Sequence, residues 1–177
     1  MAPSTSDAIR IANCSGFFGD RLSAAREMVQ GGPIDALTGD WLAELTMLIL
    51  SRIQAKAPGA GYARTFVTQM EEVMGECLDK NIKVVSNAGG LNPQGCADAV
   101  QEIADRLGLN PSIAYVAGDD LAPRLRELIE AGNDFSHLDT GESLGELADR
   151  IVTANAYIGC WGIVEALNQG ADIVVTG

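Results

Sequence analysis

The chain is short of cations, of aromatics and of imidazole. Twelve Lys and Arg stand against 24 Asp and Glu, for a formal net charge of −12. A surface of that sign repels a phosphate backbone at long range, which argues against nucleic acid as a partner. It does not bar a small anion, because backbone N–H groups act at close range. Aromatic residues make up 5% of a sequence that is 47% hydrophobic. The core therefore has to be built from Ala, Leu, Ile and Val, the mixture of buried parallel strands. A single histidine, His137, and four cysteines without any C-x-x-C spacing (Cys14, Cys77, Cys96 and Cys160) argue against a zinc site, and no metal is expected from them. A chain of 177 residues can bury a core without disulfides, so the cysteines read as reduced and packed as small hydrophobes. Long apolar runs are also missing. The most apolar stretch, Leu45 to Leu50, is far below the roughly 20 residues that span a bilayer. The polar start, Met1 to Ser6, lacks the apolar run of a signal peptide. The expectation is a cytoplasmic protein with no membrane partner.

What is present is an alternation of short apolar runs with longer helical patterns. Strands are expected at Ala8–Ala12, Ile34–Leu37, Ile82–Ser86, Ser112–Val116 and Ala171–Val175, with a further one at Ile151–Ala154. Asp20 is placed to cap a helix running to about Gln30, and Asp40 to cap one over Trp41–Ala55. The latter is apolar nearly all round, which predicts burial in a core or an interface. Helices follow at Ala63–Lys80, at Pro93–Leu107 with Asn92 as cap and Gly108 as stop, up to Glu130, and at Trp161–Gln169. Ser143-Leu144-Gly145-Glu146 has the form of a capping box. Such alternation predicts an α/β fold, a Rossmann-like parallel sheet with helices on both faces, in one domain over residues 1–177. The last strand ends at the last residues, so a longer polypeptide is expected.

In open parallel sheets ligands bind beyond the carboxyl ends of the strands. The residues that follow the expected strands are rich in Asn, Asp and Gly. They include Asn13, Cys14 and Ser15; Asp40; Asn87, Gly89, Gly90 and Asn92; Asp119 and Asp120; and Asn155. The paired glycines between a strand and a capped helix would let backbone N–H groups meet an anion, or simply serve a tight turn. No G-x-G-x-x-G or P-loop pattern is present, so no cofactor follows from these residues. Asp40 and Glu44, four apart on an expected helix, are candidates for acid–base work or for holding Mg²⁺, and Asp119 is a further acid–base candidate. Their other reading is a cap and a surface ion pair. Ser15 and Cys14 have no base beside them in the sequence, and His137 lies in a polar loop. Arg21, just past the first turn, is within reach of the rim, whereas Arg26, Arg64 and Arg124 read as helix-borne cations.

Several segments together resemble the N-terminal region of the acyclic terpene utilisation protein A (AtuA) family. They are Ile9–Arg21, Gly32–Met47, Gly61–Arg64, Ser86–Pro93, Gly118–Asp120, His137–Gly141, Ala154–Gly159 and Gly170–Gly177, in order over nearly the whole chain. The resemblance implies a catabolic protein of acyclic terpenoids such as citronellol and geraniol, a route whose intermediates are acyl-CoA thioesters. It also implies a chain continuing past Gly177, and it transfers no catalytic residue. The function expected is action on an acyl-CoA or related carboxylate, an anionic small molecule held by Asn13, Ser15, Asn87, Gly89, Gly90, Asn92 and Asn155. The alternatives are a non-catalytic partner or scaffold of an acyl-CoA-processing complex, and a phosphate- or nucleotide-binding module. The apolar Trp41–Ala55 segment and the unfinished last strand predict a homo-oligomer.

Overall fold

The computed structural model describes residues 8–177. They form two compact units. The larger takes in the chain up to Ala117 and from Cys160 to Gly177, the smaller Gly118–Gly159. The strands are β1 Ile11–Asn13, β2 Ala36–Gly39, β3 Lys83–Ser86, β4 Ile113–Val116 and β5 Ile173–Thr176. They make one all-parallel sheet in the order β1-β2-β3-β5-β4. The α-helices are α1 Ala24–Gly31, α2 Glu44–Gln54, α3 Arg64–Asp79, α4 Pro93–Leu107, α5 Leu125–Glu130 and α6 Trp161–Asn168, with α5 in the smaller unit. The protein is an α/β protein, as the alternation predicts.

Right-handed crossovers dictate which face each helix covers. From β1 to β4 the chain steps one way across the sheet, so α1, α3 and α4 share a face. β5 steps back between β3 and β4, which sends α6 to the other. Side-chain alternation agrees with this. Leu37, Val84, Ile113 and Ile173 enter a core with Val29, Phe66, Met70, Val73, Val100 and Ile103. Val116, three residues beyond Ile113, points the opposite way. There it meets α6 so closely that a Cβ on Gly162 would lie 2.7 Å from it. Each fully buried side chain of this core stabilises the fold by roughly 1.5–3 kcal/mol.

Two acid–base clips fasten the amino edge of the sheet. Arg10 donates to the Asp35 carboxylate from its backbone N at 2.7 Å, Nε at 3.1 Å and Nη2 at 3.2 Å, joining the starts of β1 and β2. Asp172 accepts from Lys83 Nζ at 2.8 Å and from the Ser112 N–H at 2.9 Å, joining β3, β5 and β4. Desolvation pushes the Asp172 carboxyl up, but the bonds from Lys83 and Ser112 outweigh it, and the group sits below its ordinary 3.8.

Several expected boundaries move, each for a tertiary reason. α1 starts at Ala24, and Asp20 does not cap it. Its carboxylate instead accepts from the Gly16 and Arg21 N–H groups at 2.9 and 2.7 Å, closing the turn after β1. α2 starts at Glu44 rather than at Trp41, with Ala43 as its N-cap residue. Trp41 is drawn out of the helix and into the core, where it is 1% exposed and meets Phe66 edge-on at 5.3 Å. Gly39 makes room for it, since a Cβ there would lie 2.2 Å from the indole. Burial of the largest side chain outweighs a local cap. α2 is not buried all round. Thr46 and Leu50 face inward, while Leu45 and Ile53 are exposed.

In the smaller unit Ile151–Ala154 is not a strand. A single antiparallel bridge, Asp120 to Asn155, is all that forms there, and Ile151 and Val152 stay exposed. The capping box does not start an α-helix either. Gly145 has φ +42°, a left-handed value that breaks α geometry, and Gly145–Arg150 is a 3-10 turn without a side-chain cap. Among the described residues no helix is long and apolar enough to cross a membrane.

Candidate functional site at the carboxyl ends of the strands

The carboxyl ends of four strands are laced to one another by backbone and amide bonds. Cys14 N–H donates to Thr38 O at 2.8 Å, Asp40 N–H to Ser15 O at 3.0 Å and Gly89 N–H to Thr176 O at 2.9 Å. Asn87 is the knot between β2 and β3. Its Oδ1 accepts from the Trp41 N–H at 2.9 Å, and its Nδ2 donates to Asp40 Oδ1 at 2.6 Å. Asp40 Oδ1 also accepts from the Leu42 N–H at 3.2 Å. Asp40 is exposed, and both of these bonds fall on one of its two carboxylate oxygens. Asp40 precedes α2, so it does not share a helix face with Glu44, which is exposed at the first position of that helix.

The glycine loop is committed to packing. Gly90 N–H donates to Asn87 O at 3.3 Å, Leu91 N–H to Gly61 O at 2.8 Å and Asn92 N–H to Gly89 O at 2.8 Å. A Cβ on Gly89 would lie 2.5 Å from Thr176 O and 2.7 Å from Pro93 Cα, and one on Gly90 2.4 Å from Leu50 of α2. The N–H donors of both glycines thus meet the chain's own carbonyls. Asn92 caps α4 as its sequence position predicts. Its Oδ1 accepts from Gly95 N–H at 2.9 Å, while Nδ2 donates to Gly59 and Ala60 carbonyls at 3.1 and 3.2 Å.

Asn13 lies on the α6 side of the sheet by strand alternation and is exposed. Ser15 is buried, and its hydroxyl donates to Phe17 O at 3.1 Å. Arg21 pairs with Glu27 at 2.9 Å. In the smaller unit Asn155 Nδ2 donates to Asp119 Oδ2 at 2.9 Å, and Ala156 N–H to Asp119 O at 2.8 Å. Burial pushes the Cys14 and Cys96 thiols up to about 12 and Cys77 to about 11, so all three stay protonated at neutral pH and are poor nucleophiles. Cys160 is exposed.

One feature of the rim was not placed there by the sequence. α3 runs against the strands, so its N-terminus meets the loop after β3, where Ala63 N–H donates to Ala88 O at 2.8 Å. Ala63 offers no side-chain cap, and the first-turn N–H groups of Arg64 and Thr65 have no intrahelical partner by geometry. Thr65 Oγ1 accepts from Trp41 Nε1 at 3.1 Å. Arg64 is exposed and has no ion-pair partner among the described residues. A guanidinium with no ion-pair partner among the described residues thus sits at the positive end of a 16-residue helix, whose N-cap residue bonds to Ala88, the neighbour of Asn87. The sequence signal was Gly61-Tyr62-Ala63-Arg64, in which Arg64 read only as a helix cation. Beside it opens a shallow groove of about 340 Å³, lined by Gly59, Tyr62, Asn92, Gln94, Asp98 and Glu102 among others. Burial pushes the Tyr62 phenol up, with further contributions from Cys96 and Glu102, while Arg64 opposes them.

An all-parallel α/β sheet whose last strand inserts between two earlier ones defines the doubly wound class of α/β proteins. Residues 9–177 match the family described as "Acyclic terpene utilisation family protein AtuA". The chain belongs to that family, and at the family level its role is acyclic terpene utilisation. No curated protein and no solved structure matches it.

Proposed function

We propose that the protein works in the cytoplasm on an acyl-CoA thioester, or the related carboxylate, of an acyclic terpenoid. The observation that carries this reading is Arg64, without an ion-pair partner among the described residues at the uncapped N-terminus of α3 and joined through Ala63 and Ala88 to the loop of Asn87, whose amide grips Asp40 of the loop after β2. A helix N-terminus bearing an unpaired guanidinium receives a carboxylate, a phosphate or the oxygen of a thioester. Asp40, gripped through one oxygen by Asn87, is the candidate general base, with its position fixed before a substrate arrives. Asp98 and Glu102 in the neighbouring groove repel phosphates. That disfavours the groove as the seat of a nucleotide and leaves its Tyr62, Asn92 and Gln94 wall for the uncharged part of a ligand.

The test is a thermal-shift series with a branched acyl-CoA, its free acid, coenzyme A alone, an adenine nucleotide and inorganic phosphate. The acyl-CoA or the acid is expected to raise the midpoint more than phosphate does, and Arg64→Ala to reduce that shift. Stabilisation by a nucleotide and by none of the acyl compounds would turn the reading to a nucleotide-binding module.

A further inference from the structure

We propose that Gly118–Gly159 is a docking arm for a protein partner whose surface is basic and apolar. Its place in the chain is a connection from β4 to α6, far longer than the roughly 2–6 residues an ordinary βα connection needs. A bridge between Asp120 and Asn155, supported by Asp119, closes its base. The turn His137–Gly141 is fixed by Gly141 N–H to His137 O at 2.8 Å, with Asp139 and Thr140 N–H donating to His137 Nδ1 at 3.2 Å each. The arm is thus shaped, yet it buries little of its own. Among its described large apolar side chains Leu125 is buried, whereas Leu138 and Tyr157 are fully exposed and Leu147, Ile151, Val152 and Ile158 are exposed. Exposed apolar groups gathered on one structured segment mark an interaction surface.

Charge identifies the occupant. The arm has nine Asp and Glu against three Arg and no Lys, a net of −6, half of the chain's −12 on a minor share of its length. Two of the three arginines are paired within the arm, Arg124 with Glu127 and Arg126 with Asp149. A second copy of this arm brings the same sign and is opposed by like-charge repulsion, so the partner on this surface has to be cationic with apolar recesses for Tyr157 and Leu138.

The experiment titrates the full chain against a labelled amphipathic leucine–lysine helix and its leucine–glutamate counterpart, read by fluorescence anisotropy, with sedimentation velocity in parallel. Two variants carry the argument. Leu138→Ser with Tyr157→Ser removes apolar surface without changing charge, and Glu130→Gln with Asp139→Asn and Glu142→Gln removes charge. All five side chains are exposed, so circular dichroism of both variants is expected to match the parent. The lysine helix is expected to bind and the glutamate helix not to, with affinity about tenfold weaker in each variant and falling with salt. Three results would overturn the proposal. They are no binding of the lysine helix, binding that both variants leave unchanged, and a dimer that the Leu138→Ser, Tyr157→Ser variant dissolves.

Discussion

Asp40, Asn87 and Arg64 have different attachments, and substitution separates them. Asn87 joins two loops through its amide, so Asn87→Ala leaves the Trp41 N–H and Asp40 without their partner and is expected to cost about 1–3 kcal/mol. Arg64 holds nothing in the described chain, so Arg64→Ala is expected to leave stability within about 0.5 kcal/mol. Gly89 and Gly90 belong with Asn87. Gly89→Ala pushes a methyl into Thr176 O and Pro93, and Gly90→Val meets Leu50 at a left-handed φ of 52°. Each is expected to lower stability by about 1–3 kcal/mol in urea titration. A wild-type midpoint for either would show that the loop yields more than its contacts suggest. The thiols offer a second check. Native alkylation is expected to label Cys160 and spare the buried Cys14, Cys77 and Cys96 until the chain is unfolded. Mass spectrometry counts the adducts, and labelling of Cys14 in the native chain would contradict its burial.

Elements show how far the sequence could be read. α4 was legible at both ends, because Asn92, Pro93 and Gly108 are local signals and the structure uses all three. Asn92→Ala is expected to cost about 1–2 kcal/mol, since it removes the cap and the bonds to Gly59 and Ala60 together. Asn92→Asp, which keeps the cap acceptor and loses the donor, should fall between the two. β3 and β5 were legible as apolar runs bounded by polar turns. The start of α2 was not, because the decision rests on Trp41 finding Phe66 and the bare backbone of Gly39, which no local pattern reports. Ile151–Ala154 failed for a related reason. A β-branched run becomes a strand only where a neighbour pairs with it, and here the pairing stops at one bridge. Within the candidate site, Asp40 and Asn87 were legible by position after strands, while the N-terminus of α3 required knowing that its helix runs antiparallel to the sheet.

At the scale of the molecule, the amino edge of the sheet is clipped and the carboxyl edge carries the candidate site. The clip at Asp172 makes a pH prediction. Its folded pKa lies below the ordinary 3.8, so its stabilisation is present above the ordinary carboxylate range and is lost as pH falls through the lower folded value. The stability difference between wild type and Asp172→Asn is therefore expected to be largest near neutral pH and to shrink on acidification. A difference that grows on acidification would reverse the sign. α6 covers β4 and β5, whereas along β1 the same face leaves Ile9, Ile11 and Asn13 exposed. Parallel sheets are ordinarily covered on both faces, so self-association through this face is expected. Sedimentation should give a species heavier than the 18.6 kDa chain, and Ile11→Lys should release the monomer. A wild-type monomer at high concentration would contradict it.

The carboxyl rim around Arg64, Asn87 and Asp40 is proposed to receive the acidic or thioester end of an acyclic terpenoid. Isothermal titration of the full chain with a branched acyl-CoA, in wild type and in Arg64→Ala, tests it most directly, because Arg64 is the one member of the set whose removal leaves the fold untouched. Binding by the wild type and about tenfold weaker binding by the variant, at unchanged thermal stability, are expected. Equal affinity in the two proteins, or no binding in either, would contradict it.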